Sequence, residues 1–214
     1  MKDKMKKFFL ILIFSSSLTF SQNYLEEGNA FLSENKFSEA ERTFKDGLKK
    51  EPENLILKSQ LALSLIEQKK YDSAEIIIVG ILEKKPLFTA ALWYGGINNF
   101  SKDTPDYRKA IFYFEKSYDL IDKNSMQYFA LNYYIGKSYK NLLYTEGLSY
   151  GEVNRMLQTL TTYIELQPDA EDADYIKGFI DKIQKNRPGE NVKKWILANK
   201  ENLTGVLKKD SNER

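Results

Sequence analysis

The chain has 214 residues, of which 42% are hydrophobic and 29% charged, a composition typical of soluble globular proteins. It contains no histidine and no cysteine. Ser-His-Asp and Cys-His nucleophiles, thiol redox chemistry, disulfides and the usual zinc sites are therefore excluded. Carboxylate, lysine and tyrosine chemistry stay formally possible. We predict no catalytic residue, no metal and no cofactor.

The N-terminus has the pattern of a secretory signal peptide. Four lysines among the first seven residues precede an apolar run from Phe8 to Phe14, and small residues follow as far as Ser21. The apolar run is much shorter than the ~20 residues that cross a bilayer, which argues against a membrane anchor. We therefore predict that residues 1–21 are cleaved and that the protein is exported, either periplasmic or secreted, with no membrane span after cleavage.

Removal of this leader changes the sign of the net charge. The full chain carries a formal charge of +2, but residues 1–21 hold four lysines and one aspartate. The remaining chain has 28 basic and 29 acidic residues and a net charge of −1. No bulk charge therefore favours binding to nucleic acid or to an anionic membrane.

Next in the chain come two copies of one pattern, offset by 34 residues. Small residues at matching positions allow two helices to approach closely, bulky residues fill the space between neighbouring hairpins, and prolines end one helix before the next. The matching pairs are Gly28 and Ala62, Ala40 and Ala74, Phe44 and Ile78, and Pro52 and Pro86.

Two looser copies follow. The turn inside the third is about two residues longer, and about eight extra residues, around 144–151, separate the halves of the fourth. The insertion predicts longer helices joined by a turn that contains glycine. The matching residues are Gly95, Gly96, Ala110 and Phe114 in the third copy, and Gly136, Tyr139, Leu160, Tyr163 and Pro168 in the fourth.

This pattern resembles the tetratricopeptide repeat over roughly residues 22–186. The resemblance implies an all-α fold, a right-handed superhelical solenoid of about four helical hairpins plus C-terminal helices. The predicted repeat domain, 22–186, consists of units at 22–54, 55–88, 89–124 and 126–168 and an extra helix at 169–186. Residues 187–214 are predicted to form an amphipathic helix and a polar tail; the helix could seal the array, lie on a membrane or pair with a partner.

The resemblance also implies a module that binds a protein or peptide. In this family the first helix of each hairpin lines a concave groove that holds an extended peptide or a partner's helix. The predicted groove is apolar and aromatic in the middle and basic at the far end, which suits a peptide with apolar side chains and an acidic or C-terminal carboxylate end. Its residues are Leu25, Asn29, Leu63, Trp93, Ile97, Phe100, Tyr133, Lys137 and Lys140. The aromatic members could instead pack under neighbouring helices.

Two further clusters have more ordinary interpretations. Four carboxylates follow Pro168, namely Asp169, Glu171, Asp172 and Asp174; they predict a helix start, because the glycine turn and distal glutamate of a calcium loop are missing. The Tyr- and Phe-rich stretch 112–139 predicts core and groove packing more than base or sugar stacking.

The leading functional prediction is a non-catalytic adaptor or scaffold of the cell envelope. The alternative is an exported carrier that encloses a small apolar or sugar ligand in an aromatic cavity. A carboxylate-based hydrolase is disfavoured, because no paired acids emerge at a plausible site.

Overall fold

The computed structural model describes residues 23–197, which divide after Asn98 into two compact units. Apart from one isolated antiparallel bridge, the regular secondary structure of these residues is helical, so the predicted all-helical fold class is confirmed. The boundary between the units falls inside the third predicted repeat, 89–124. The predicted leader, 1–21, lies outside the described residues.

The first unit contains two helical hairpins and most of a fifth helix. Their turns repeat the same geometry: Asn35 and Lys69, 34 residues apart, are both left-handed, with φ of 57° and 59°. In each turn the next amide, that of Lys36 or Lys70, donates to a carbonyl near the end of the preceding helix. The helices are α1 (23–33), α2 (Phe37–Lys50), α3 (Leu55–Glu67), α4 (Tyr71–Lys84) and α5 (Thr89–Ser101), whose last turn belongs to the second unit.

Small residues bring the helices of the first unit together. A Cβ atom at Gly28 of α1 would overlap the ring of Phe44 of α2, which is fully buried. Ala40 and Ala74 are also fully buried, as is Ile78, the counterpart of Phe44. The small and bulky repeat positions identified in the sequence therefore lie in the core of this unit, while the two prolines are exposed.

Three helices of the second unit begin at a side chain that caps them. Asp106 accepts a bond from the Lys109 amide at 2.9 Å, and Ser125 accepts one from the Tyr128 amide at 3.1 Å. Ser149 forms a capping box with Glu152, which satisfies two otherwise unpaired amides. The elements are α6 (Tyr107–Ser117), a 3₁₀ turn (Tyr118–Leu120), α7 (Met126–Thr145), α8 (Tyr150–Leu166) and α9 (Ala173–Asn186).

Helices α7 and α8 form the predicted long hairpin, joined by a turn at Gly147 with φ of +81°. A Cβ atom at Gly136 of α7 would lie 2.5 Å from a methyl carbon of Leu160 of α8. Arg155 of α8 reaches back to α6, where it donates two bonds to Glu115 at 2.8 and 2.7 Å. Helix α8 therefore packs closely against α7 and is also tied to α6 by the bonds of Arg155.

Residues 187–197 do not form the predicted amphipathic helix. They are non-helical, and Trp195 exchanges two backbone bonds of 2.8 Å with Leu148 in the α7–α8 turn. The Leu197 amide donates to the carbonyl of Leu143, which the end of α7 leaves without a helical partner. Helix α9 ends before Pro188 and Gly189, and the backbone that follows pairs with the α7–α8 turn. The rest of the predicted helix and tail, 198–214, lies outside the described residues.

Gly136→Ala is expected to destabilise the protein by about 1–3 kcal/mol, because the added methyl group must displace Leu160. Urea unfolding of the two proteins measures the difference. Gly178→Ala is the matched control: a Cβ atom there meets nothing within 4 Å, so the free energy of unfolding should rise by about 0.5–1 kcal/mol. Equal destabilisation by the two substitutions would contradict close packing at Gly136.

Candidate partner-binding pocket

A cavity of about 630 Å³ lies in the second unit, a volume within the range of roughly 300–1,000 Å³ that is common for ligand pockets. Helix α7 supplies one wall, because residues three and four positions apart share one face of a helix. The end of α8, the following turn and the first turn of α9 complete the lining. The lining residues are Phe129, Ala130, Tyr133, Tyr134, Tyr163, Glu171, Asp172 and Tyr175.

The aromatic rings of this pocket support one another. Tyr163, which is only 5% exposed, stacks on Phe129 with ring centroids 4.9 Å apart and also contacts Tyr133 at 5.1 Å. Tyr134 stacks against the buried ring of Phe114 at 5.5 Å. Since each ring is held by a neighbour, little side-chain freedom remains to be lost when a ligand binds.

Tyr163 also links the aromatic wall to the acidic side of the pocket. Its hydroxyl donates a 2.6 Å hydrogen bond to a carboxylate oxygen of Asp172. Burial, followed by this bond and the negative charge of Asp172, raises the pKa of Tyr163 well above its ordinary value. The hydroxyl therefore stays protonated at neutral pH, and Asp172 keeps one oxygen directed at the wall.

The acidic side of the pocket is the turn that precedes α9. Asp172 is half-buried, and Glu171 is exposed with no hydrogen-bond or ion-pair partner in residues 23–197. A helix does begin after this turn, at Ala173, as the carboxylates predicted. Within the described part of the chain, no cluster of carboxylates could hold a metal ion. Glu171 is therefore the lining carboxylate with which no described residue pairs.

The two predicted groove lysines are bound to aromatic rings. Lys137 donates a hydrogen bond to the Tyr133 hydroxyl, with its ammonium 4.7 Å from that ring's centroid. Lys140 donates to the Tyr175 hydroxyl at 2.8 Å, and its ammonium lies 4.4 Å from the Tyr175 centroid. Neither lysine lines the cavity. At the predicted basic end of the groove, the cavity is therefore lined by aromatic rings and carboxylates and not by the lysines.

The other predicted groove residues fall in two places. Phe100 packs edge-on against Tyr107 at 5.7 Å and Tyr134 at 4.9 Å. The first-unit residues are all half-buried, and their role in binding stays a prediction; they are Leu25, Asn29, Leu63, Trp93 and Ile97.

Sequence reasoning identified only Tyr133 among the residues that line the pocket. Phe129 and Tyr134 lie in the stretch that was assigned to packing, and Glu171 and Asp172 lie in the turn that was interpreted as a helix start. Tyr175 lies in the extra helix predicted at 169–186, which the sequence does not link to the groove. The sequence does contain a signal for this pocket, because an acidic turn comes after an aromatic helix. The proximity of that turn to α7 depends, however, on how α7, α8 and α9 pack.

Comparison with known proteins agrees with this architecture. A family model described as tetratricopeptide repeat matches residues 31–94. The crystal structure of MamA protein is similar to this one, with a TM-score of 0.56 and 20% sequence identity, covering 78% of this chain and 87% of that chain. No curated protein matches the chain.

These findings show similarity to the tetratricopeptide repeat over part of the chain and a helical-repeat fold over most of it. The family match covers the two regular repeats, and the likeness to MamA shows the same helical-repeat fold over most of the chain. None of the helices within residues 23–197 is long and apolar enough to cross a membrane.

Asp172→Asn is expected to lower the pKa of Tyr163, because the side chain still accepts the hydrogen bond but no longer carries a negative charge. In the native protein the stabilisation from a protonated Tyr163 is complete below the ordinary tyrosine pKa and is lost as the pH rises through the raised one. In the variant the loss begins at the same pH but is smaller and is complete at a lower pH, because the folded-state pKa is closer to the ordinary one. NMR titration of ¹³C-labelled tyrosines, assigned with Tyr163→Phe, measures the shift.

The control for this titration is Glu171→Gln, which removes a neighbouring carboxylate that does not contact Tyr163. It should leave the Tyr163 titration unchanged. If both substitutions lowered the pKa equally, the specific bond to Asp172 would be refuted.

Proposed function

We propose that this protein is a non-catalytic adaptor of the cell envelope that binds a protein or peptide partner through the pocket between α7 and the start of α9. The observation that carries the proposal is the aromatic pocket itself, next to the first helix of a repeat hairpin. Tyrosines in preformed pockets are frequent hot spots of protein interfaces. The family's role in binding proteins supports the same conclusion.

The pocket suits a peptide segment in size and in chemistry. Its volume of about 630 Å³ exceeds the size of any single side chain, so a short segment can enter. Tyr175 is 62% exposed, so its ring can take up further contact area at the mouth. The repeat surface in the first unit, with Leu63 and Trp93, is a second proposed contact region.

Export is the second part of the proposal. It rests on the leader pattern of residues 1–21 and on the near-neutral charge of the chain that follows. A scaffold with this leader would meet its partner outside the cytoplasm, in the periplasm or beyond.

Tyr175→Ala is expected to weaken partner binding at least about tenfold, since a pocket hot spot is worth about 1.4 kcal/mol or more. The partner is first identified by mild crosslinking of the C-terminally tagged full chain in the cells that produce it. Binding of the purified partner is then measured with native and variant proteins. Tyr133→Ala tests the inner wall in the same way.

The matched control is Phe112→Ala, which removes an aromatic ring that is 52% exposed on α6 and does not line the pocket. Its affinity for the partner should equal that of the native protein. Unchanged binding by Tyr175→Ala and Tyr133→Ala would refute the pocket as the binding site. A protein recovered with a bound metabolite and no protein partner would favour the small-ligand carrier.

Export is tested by the mass of the tagged protein recovered from the cell envelope. The expected chain begins at Gln22, since cleavage is predicted after Ser21. A chain without residues 2–21 should remain inside the cell. Recovery of the native protein from the cytoplasm with its leader intact would refute this part of the proposal.

A further inference from the structure

We infer that the pocket of the second unit recognises a positively charged side chain, an arginine, within an apolar segment of the protein partner. The inference rests on the proposed function and names the partner's chemistry. It replaces the sequence-based expectation of a peptide with an acidic or carboxylate end.

The first argument is the charge of the residues that line the cavity. Both ionised side chains in the lining are carboxylates, Glu171 and Asp172. Asp172 uses one oxygen to accept the Tyr163 hydroxyl, and Glu171 has no partner in the described residues. A carboxylate-ended ligand would face these groups and be repelled, whereas a guanidinium group could donate hydrogen bonds to both.

The second argument is the aromatic wall. Arginine stacks on aromatic faces while its planar fork binds a carboxylate, so it can use both kinds of lining at once. The rings of this wall already attract cations: Lys137 lies on Tyr133 and Lys140 on Tyr175.

These two lysines lie against rings of the lining, so they must be included in the balance of charge. Each is held by a tyrosine hydroxyl, and neither lines the cavity. Inside the cavity the charge is therefore negative, and the remaining surface is aromatic or apolar. Leucine-like flanks on either side of the arginine fit Phe129 and Ala130.

The test compares two capped peptides, Ser-Leu-Arg-Leu-Ser and the same peptide with citrulline, a neutral isostere, in place of arginine. Each is titrated into the purified full chain and followed by NMR of the tyrosine rings. The arginine peptide should bind roughly tenfold more tightly, since a charge-assisted bond to carboxylate is about twice as strong as a neutral one. In the double variant Glu171→Gln and Asp172→Asn the ratio should fall to about one.

A second double variant, Glu165→Gln and Asp181→Asn, is the matched control. It makes the same change in net charge at exposed positions on α8 and α9 that do not line the pocket, and it should keep the native ratio. Circular dichroism confirms that both double variants are folded.

Equal binding of the two peptides, no binding of either, or an unchanged ratio in the Glu171 and Asp172 variant would overturn the arginine inference. These outcomes do not decide the proposed function, because the crosslinked partner and its loss in Tyr175→Ala are measured without the peptides. A partner whose binding requires Tyr175 but does not change when both carboxylates are replaced would support the adaptor function and contradict the arginine inference.

Discussion

In both units, a bulky side chain of a second helix lies directly over a glycine of the first helix. Phe44 covers Gly28, and Leu160 covers Gly136, at distances that leave no room for a Cβ atom. This close approach sets the register of each hairpin, because antiparallel helices cannot slide without driving the bulky group into a backbone. Once the register is fixed, the residues that face each other farther along the two helices are fixed as well.

The pocket depends on this register. Tyr133 lies three residues before Gly136 on α7, and Tyr163 lies three residues after Leu160 on α8, so the two rings meet at 5.1 Å. In the first hairpin, Gly47 holds the position that corresponds to Tyr163, and it packs against Tyr24. The exchange of a glycine for a tyrosine at one repeat position therefore supplies the aromatic wall of the fourth hairpin, and the turn before α9 adds the carboxylates.

The predictions from sequence were most accurate where local chemistry decides the structure. The period of 34 residues, the buried positions Ala40, Phe44 and Ile78 and the long α7–α8 hairpin follow from side-chain size and helix-ending residues. For the segment 187–197 the prediction was wrong. The spacing of Val192, Trp195 and Ile196 fits a helix, yet the backbone of Trp195 pairs with that of Leu148. The end of α7 leaves backbone groups without helical partners, and the segment bonds to them. The spacing of residues in the sequence does not show that these groups lie nearby.

The sequence by itself determined the fold class, since a small residue, a bulky residue and a proline at a fixed period specify stacked helical hairpins. It also excluded histidine and cysteine chemistry outright. Only the tertiary structure decided which polar groups meet at the pocket. Lys137 is four residues from Tyr133, the ring it covers, but Lys140 meets Tyr175 across 35 residues of chain. Glu171 and Asp172 likewise reach α7 only through the packing of α8 and α9. The charge of a site is set by neighbours that are distant along the chain, and their proximity exists only after folding.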